Sequence, residues 1–185
     1  MSRSSPRARR AGSSAVEFAL VAPLLALLMT GTADITFWIR SWFRVDRVAA
    51  EIANIATQRS ALSATDIAAL FSAGQAMAVG IDITGPGGAT IISAITGDGT
   101  RNTMAWQRRI GAAGFTSRFG LAGATTALPG GFVLPSGEMA LIVETFTSVN
   151  TWVLSRAFMG DSGTGSIGSY AVLQPRLGSL ASPPQ

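Results

Sequence analysis

Glu17 stands five residues after Gly12, at the start of an otherwise apolar run. That spacing sets out one piece of chemistry. Hydrolysis of the bond between Gly12 and Ser13 would free an ammonium on Ser13, about one helical turn from the Glu17 carboxylate. A carboxylate near the start of an apolar helix is costly unless paired, and ionisable groups within a membrane are functional candidates by default. In an assembly of staggered helices, Glu17 of one subunit could pair with the new amino terminus of a neighbour.

Little else in the chain suggests a reaction. There is no histidine, lysine or cysteine among 185 residues. General-base imidazole, thiolate nucleophiles, Schiff-base chemistry and a lysine-bearing phosphate loop are therefore excluded. No catalytic site, metal site or cofactor is expected, and no small-molecule substrate is inferred. The glycine-rich turns Gly85–Gly88 and Gly97–Gly99 open no helix, so they do not read as phosphate cradles. Glu138 and Glu144 are six residues apart along one strand, about 20 Å, too far for paired carboxylates. Asp82 and Asp98 could approach across a hairpin, but two acids are too few for a calcium loop. Trp106 and Arg108 could stack, although a packing position in a sheet is the better reading of Trp106.

The elements that would position Glu17 begin with a basic run. Four arginines (Arg3, Arg7, Arg9 and Arg10) precede Gly12 with no acid among them, and the other ten arginines balance ten acids. A nucleic-acid binder would carry its charge on the folded domain, so no nucleic-acid partner is expected. Ala15–Ile39 contains only two charged residues, Glu17 and Asp34, and as a helix would extend about 37 Å, enough to cross a bilayer. The basic flank places residues 1–12 in the cytoplasm and the rest outside.

Three readings of this segment stand: an uncleaved signal anchor, a secretory signal peptide cleaved after Ala33, and a processed helix that keeps Glu17. The second would release a soluble periplasmic binding domain and discard the carboxylate. Pro23 and Gly31 are positions where the helix could kink or loosen.

The helical period continues beyond Ile39. Trp38, Trp42, Val45, Ala49, Ile52 and Ala56 recur at intervals of four and three, forming one apolar seam, while Arg40, Arg44, Arg47 and Glu51 lie on another face. The seam suits either the chain's own domain or a partner helix. Ser60–Ser63 breaks the helix, and Ser63 or Thr65 caps a second one through about Met77. Strands are expected at 79–84, 89–96, near 103–111, at 138–149 and in the stretch 169–180. A short helical piece is expected near Trp152–Phe158, and residues 111–137 read as a long loop crossing the surface. The fold class is α+β: a long amino-terminal transmembrane helix extends out of the membrane and packs on a small, mainly antiparallel sheet. The divisions are a basic leader (1–12), a transmembrane helix (13–39), an amphipathic extension (40–59), an extracytoplasmic domain (60–178) and a disordered tail (179–185).

The basic leader, Gly12, Glu17 and apolar helix together resemble the processing signal of type IV pilins and pseudopilins. The whole chain is similar to TadE/TadG-like proteins, minor pseudopilins of the tight-adherence, or type IVc, pilus. The most specific stretch is Gly12 with Ala15-Val16-Glu17-Phe18-Ala19-Leu20-Val21-Ala22-Pro23-Leu24. Weaker parts are Asp46-Arg47-Val48-Ala49, Asp66–Phe71, Trp106-Gln107-Arg108, Ile142-Val143-Glu144 and Tyr170–Gly178. The resemblance implies a prepilin peptidase cutting between Gly12 and Ser13, with Glu17 and Phe18 serving recognition and assembly. It also implies insertion in the bacterial inner membrane, other pilin or pseudopilin subunits as partners, and a minor role in building a pilus. Asp34 stands where relatives often have glutamate, and the cysteines of some TadG-like proteins are missing.

Overall fold

The computed structural model describes residues 6–150 and 164–185, with side chains for 14–150 and 165–185. The helical piece expected near Trp152–Phe158 lies outside the described residues. The chain divides into two compact units, one of residues 1–39 with 150–164 and the other of residues 40–149 with 165–185.

The first unit contains most of helix α1 (Pro6–Thr57). It runs as one helix through both Pro23 and Gly31, so neither position ends it. Its threonine hydroxyls bond back to the helix: Thr30 donates to the carbonyls of Ala26 and Leu27, Thr32 to that of Leu28 and Thr36 to that of Thr32. Such back-bonding allows a threonine to sit in an apolar environment without an unpaired donor.

The second unit is a helix–sheet sandwich. Residues 40–57 of α1 and helix α2 (Ala64–Met77) cover one face of a five-stranded sheet. The strands are β1 (Gly88–Gly97), β2 (Asn102–Gly111), β3 (Thr125–Thr126), β4 (Met139–Asn150) and β5 (Thr164–Leu173), in the order β3-β2-β1-β4-β5. β1 pairs antiparallel with both β2 and β4, and a bulge between Ala94 and Ile95 shifts the β2 register. The architecture is α+β, as the periodicity indicates.

Alternation decides what each face buries. Ile92 and Ala94 of β1, Leu141 and Val143 of β4, and Trp106 of β2 meet Val45, Ala49, Ile52 and Ala56 of α1. Helix α2 adds Ile67, Leu70 and Phe71 to that core. Its start is a capping box. The Ser63 hydroxyl accepts from the Asp66 amide at 3.1 Å, and the Asp66 carboxylate accepts from the Ser63 amide at 3.0 Å. The Ser63 amide and, at 2.7 Å, the Ser63 hydroxyl both donate to the Asp66 carboxylate and hold it below its ordinary value, with help from Arg59 at 3.2 Å.

Four parts differ from the sequence reading. Residues 79–84 form no strand, because side chains take their backbone groups. Gln75 donates to the Ile81 carbonyl and accepts from the Ile83 amide, each at 3.0 Å. Thr90 donates to the Ile83 carbonyl, and the Asp82 carboxylate receives the amides of Thr84, Gly85 and Gly87. Burial pushes the Asp82 carboxyl up, but the amides of Gly87, Gly85 and Thr84 outweigh it and hold the group below its ordinary value.

Residues 112–137 do more than cross the surface. Leu128 and Leu134 pack with Ile95, Ala140 and Ile142, and Phe115 packs with Ala89, Ile91 and Phe146, so this irregular segment covers the sheet's second face. Buried Asn102 fixes it from both sides, donating to the Phe132 carbonyl and accepting from the Leu134 amide, each at 2.8 Å.

The tail 179–185, expected to be disordered, is packed. Leu180 is buried, its carbonyl accepts from the Trp106 indole at 2.7 Å, and the Pro184 carbonyl accepts from Arg108 at 3.1 Å. The Ala64 amide donates to the Gln185 carbonyl at 2.7 Å. A buried indole N–H requires an acceptor, and the tail supplies it. The last expected strand also stops early, at Leu173. Beyond it, the Arg176 amide donates to the Thr57 carbonyl at 2.9 Å and satisfies one of the orphan carbonyls at the end of α1.

Candidate functional site

The residues singled out for processing and assembly all lie on α1. Gly12 and Ser13 are within its helical backbone, and Glu17 follows one turn later with its side chain exposed. Phe18, Leu20, Leu24 and Met29 are exposed as well, each more than half accessible. An apolar helix surface of this kind, with a single carboxylate near its start, is suited to lipid or to other helices rather than to water. Pro23 and Gly31 sit on the same segment, and a side chain added at Gly31 would meet nothing within 4 Å.

Asp34 behaves differently from its neighbours. It is buried while Ala33 and Ile35 are exposed, and with Ala33, Phe37 and Asn150 it lines a cavity of about 330 Å³. The seam divides at residue 45. Val45, Ala49 and Ile52 are fully buried in the domain core, whereas Trp38 and Trp42 are exposed. Arg47 and Glu51 both face solvent.

The remaining candidates form no reaction centre. Asp82 and Asp98 sit at opposite ends of the ten-residue β1 and each closes its own turn. Hydrogen bonds from the Thr100 hydroxyl, the Thr100 and Arg101 amides and the Arg101 guanidinium hold the Asp98 carboxyl far below its ordinary value. Trp106 belongs to the core and is not stacked on Arg108; among the described residues Arg118 lies over a ring, 5.6 Å from the centre of Phe146. Among the described residues, no group of three histidine, cysteine, aspartate or glutamate side chains is placed to hold a metal ion.

Glu144 is a structural carboxylate that the spacing argument did not identify. It is fully buried on β4, accepts the Ser117 hydroxyl and receives the Arg118 amide at 2.8 Å. The signal in the sequence is a lone acid in the middle of an apolar strand. Burial pushes its carboxyl above the ordinary 4.5, against the lowering effects of Ser117 and Arg118. The folded chain therefore holds this proton more tightly than the unfolded chain. Its contribution to stability is fully present below about 4.5 and is lost as pH rises through the folded value. Glu144→Gln should melt close to the wild type in acid and above it at neutral pH, measured by thermal unfolding of both proteins across that range. A constant gap between the two curves would exclude the linkage.

Residues 12–54 match the family model described as "TadE-like protein". The match falls on the segment that carries the amino-terminal resemblance and covers less than half of the chain. No curated protein and no solved structure gives a match. Among the described residues one helix, Ser14–Thr57, is long and apolar enough to cross a membrane, which fits a single-pass anchor.

Proposed function

We propose that the chain is a minor pilin-like subunit, a pseudopilin, that initiates or supports assembly of a tight-adherence type IVc pilus. A prepilin peptidase removes residues 1–12, and the new amino terminus on Ser13 pairs with Glu17 of a neighbouring subunit. Residues 13–39 lie in the bacterial inner membrane with the leader cytoplasmic, and the domain faces the periplasm. The role is structural, with other pilin or pseudopilin subunits as partners.

The observation that carries this reading is where the family match begins. It starts at Gly12, encloses Ser13, Glu17 and Phe18, and leaves the basic run outside. The exposed apolar face around Glu17 supplies the surface that lateral packing requires.

The test is the intact mass and amino-terminal sequence of the protein from its native host. A start at Ser13 is expected. A start at Asp34 would mean a released domain and would end the pilus mechanism. Retention of the leader in a host that carries the peptidase would mean a simple anchor.

A further inference from the structure

Directly after the apolar span, the second unit carries a groove of about 440 Å³ lined by Arg40, Phe43, Arg44, Arg47, Val48 and Met77. Three guanidinium groups line one site, and no carboxylate lies within 4 Å of any of them among the described residues. The nearest acid in sequence, Asp46, is engaged elsewhere, accepting the Ser169 hydroxyl. Arg44 is fixed in place by donating to the Val79 carbonyl. Beside these cations stand exposed apolar side chains: Phe43 is 60% accessible, Val79 70% and Met77 38%.

We propose that this groove seats phospholipid headgroup phosphates and so holds the domain against an anionic membrane surface. The proposal rests on the reading that residues 13–39 span a bilayer. Arg40 is the first residue after that span, and Arg47 lies about 10 Å further along the helix, comparable to the depth of one headgroup layer. Side chains on a helix tilt towards its amino terminus, which here is the membrane end, so the arginines lean back towards the phosphates. Trp42 is exposed within the same stretch of helix and Trp38 one turn before it, where aromatic residues favour the interface. The mixture of cations and apolar side chains matches the boundary between headgroup and acyl chain better than the acidic face of a soluble protein.

The test uses the full-length chain in bilayers of mixed phosphatidylglycerol and phosphatidylcholine, with bromine on the acyl chains of one lipid at a time. Tryptophan quenching should be stronger when the anionic lipid carries the bromine. R40Q and R47Q should each lower that preference about fivefold, the worth of one basic residue at an anionic surface. Neither should change the melting temperature, whereas Arg44 is left intact because it also holds Val79. Equal quenching by the two lipids overturns the proposal and leaves the groove to an acidic protein partner. Loss of the preference on adding inorganic phosphate at constant ionic strength also overturns it, in favour of a free anion. Absence of quenching by either lipid would show that the chain does not insert, a failure of the spanning reading itself.

Discussion

Glu17→Ala should leave the protein synthesised and inserted in the membrane while abolishing its part in pilus assembly. The carboxylate sits on an exposed apolar helix surface, where burying a charge in hydrocarbon costs about 2.5–3.5 kcal/mol at mid-bilayer and less near the edge. Alanine removes that cost, so insertion should be no worse than in the wild type. In the proposed pairing, what is lost is the partner for the ammonium on Ser13 of a neighbouring subunit. An unpaired charge between packed helices opposes their association, and removing one partner of a buried pair typically costs about 3–5 kcal/mol. A loss of that size amounts to two orders of magnitude or more in association, so pili should fall to background. Glu17→Gln keeps the shape and a hydrogen bond but not the charge, and should be as defective. The measurements are carbonate-resistant membrane retention, the mature mass and the yield of sheared pili. Normal piliation in either variant would sink the pairing mechanism, and loss of membrane retention would trace the defect to insertion instead.

The parts of the fold legible in the sequence are those in which one period governs a whole segment. The seam from Val45 to Ala56 and the alternation around Leu141 and Val143 find their places in the core because each element buries one continuous face. Ser63 with Asp66 is readable as a helix start because a capping box is local. What is not legible depends on long-range satisfaction of polar groups. Residues 79–84 have the composition of a strand, yet Gln75, Asp82 and Thr90 claim their backbone groups. The stretch 112–137 has no period, and only the apolar second face of the sheet explains why Leu128 and Leu134 are buried there. The tail has a polar, proline-rich composition, and its order follows from the indole of Trp106, 74 residues earlier. The candidate site divides in the same way. Gly12 and Glu17 are candidates proposed by the basic leader, the spacing and the apolar run together. The role of Glu144 requires knowledge of which loop lies over its strand, and the groove of Arg40, Arg44 and Arg47 requires α2 to bring Met77 beside them.

Gly88→Ala should destabilise the domain far more than a methyl group added at a glycine in one of its open loops. Three segments converge on this residue. Its carbonyl accepts the Ala112 amide at 2.8 Å, the adjacent Gly87 carbonyl accepts the Ser148 amide at 2.6 Å, and Asp82 closes the preceding turn. A Cβ at Gly88 would lie 2.0 Å from the Asp82 carbonyl oxygen and 2.5 Å from that of Phe146. Both obstacles are backbone, so no side chain can rotate away. Relief requires either opening the Asp82 turn or separating β1 from β4 at the pair Gly88 and Thr147. Overpacking typically costs about 1–3 kcal/mol, and a double clash with fixed carbonyls belongs at or above the upper end. For a chain of this length that is a fall of about 6–12 °C in Tm. Gly114→Ala is the matched control, since its Cβ would meet nothing within 4 Å and should shift stability by less than about 1 kcal/mol. Thermal unfolding of the two variants beside the wild type decides the matter. If Gly88→Ala melts with Gly114→Ala, the close approach of β1, β4 and the Asp82 turn is not what fixes this corner of the sheet.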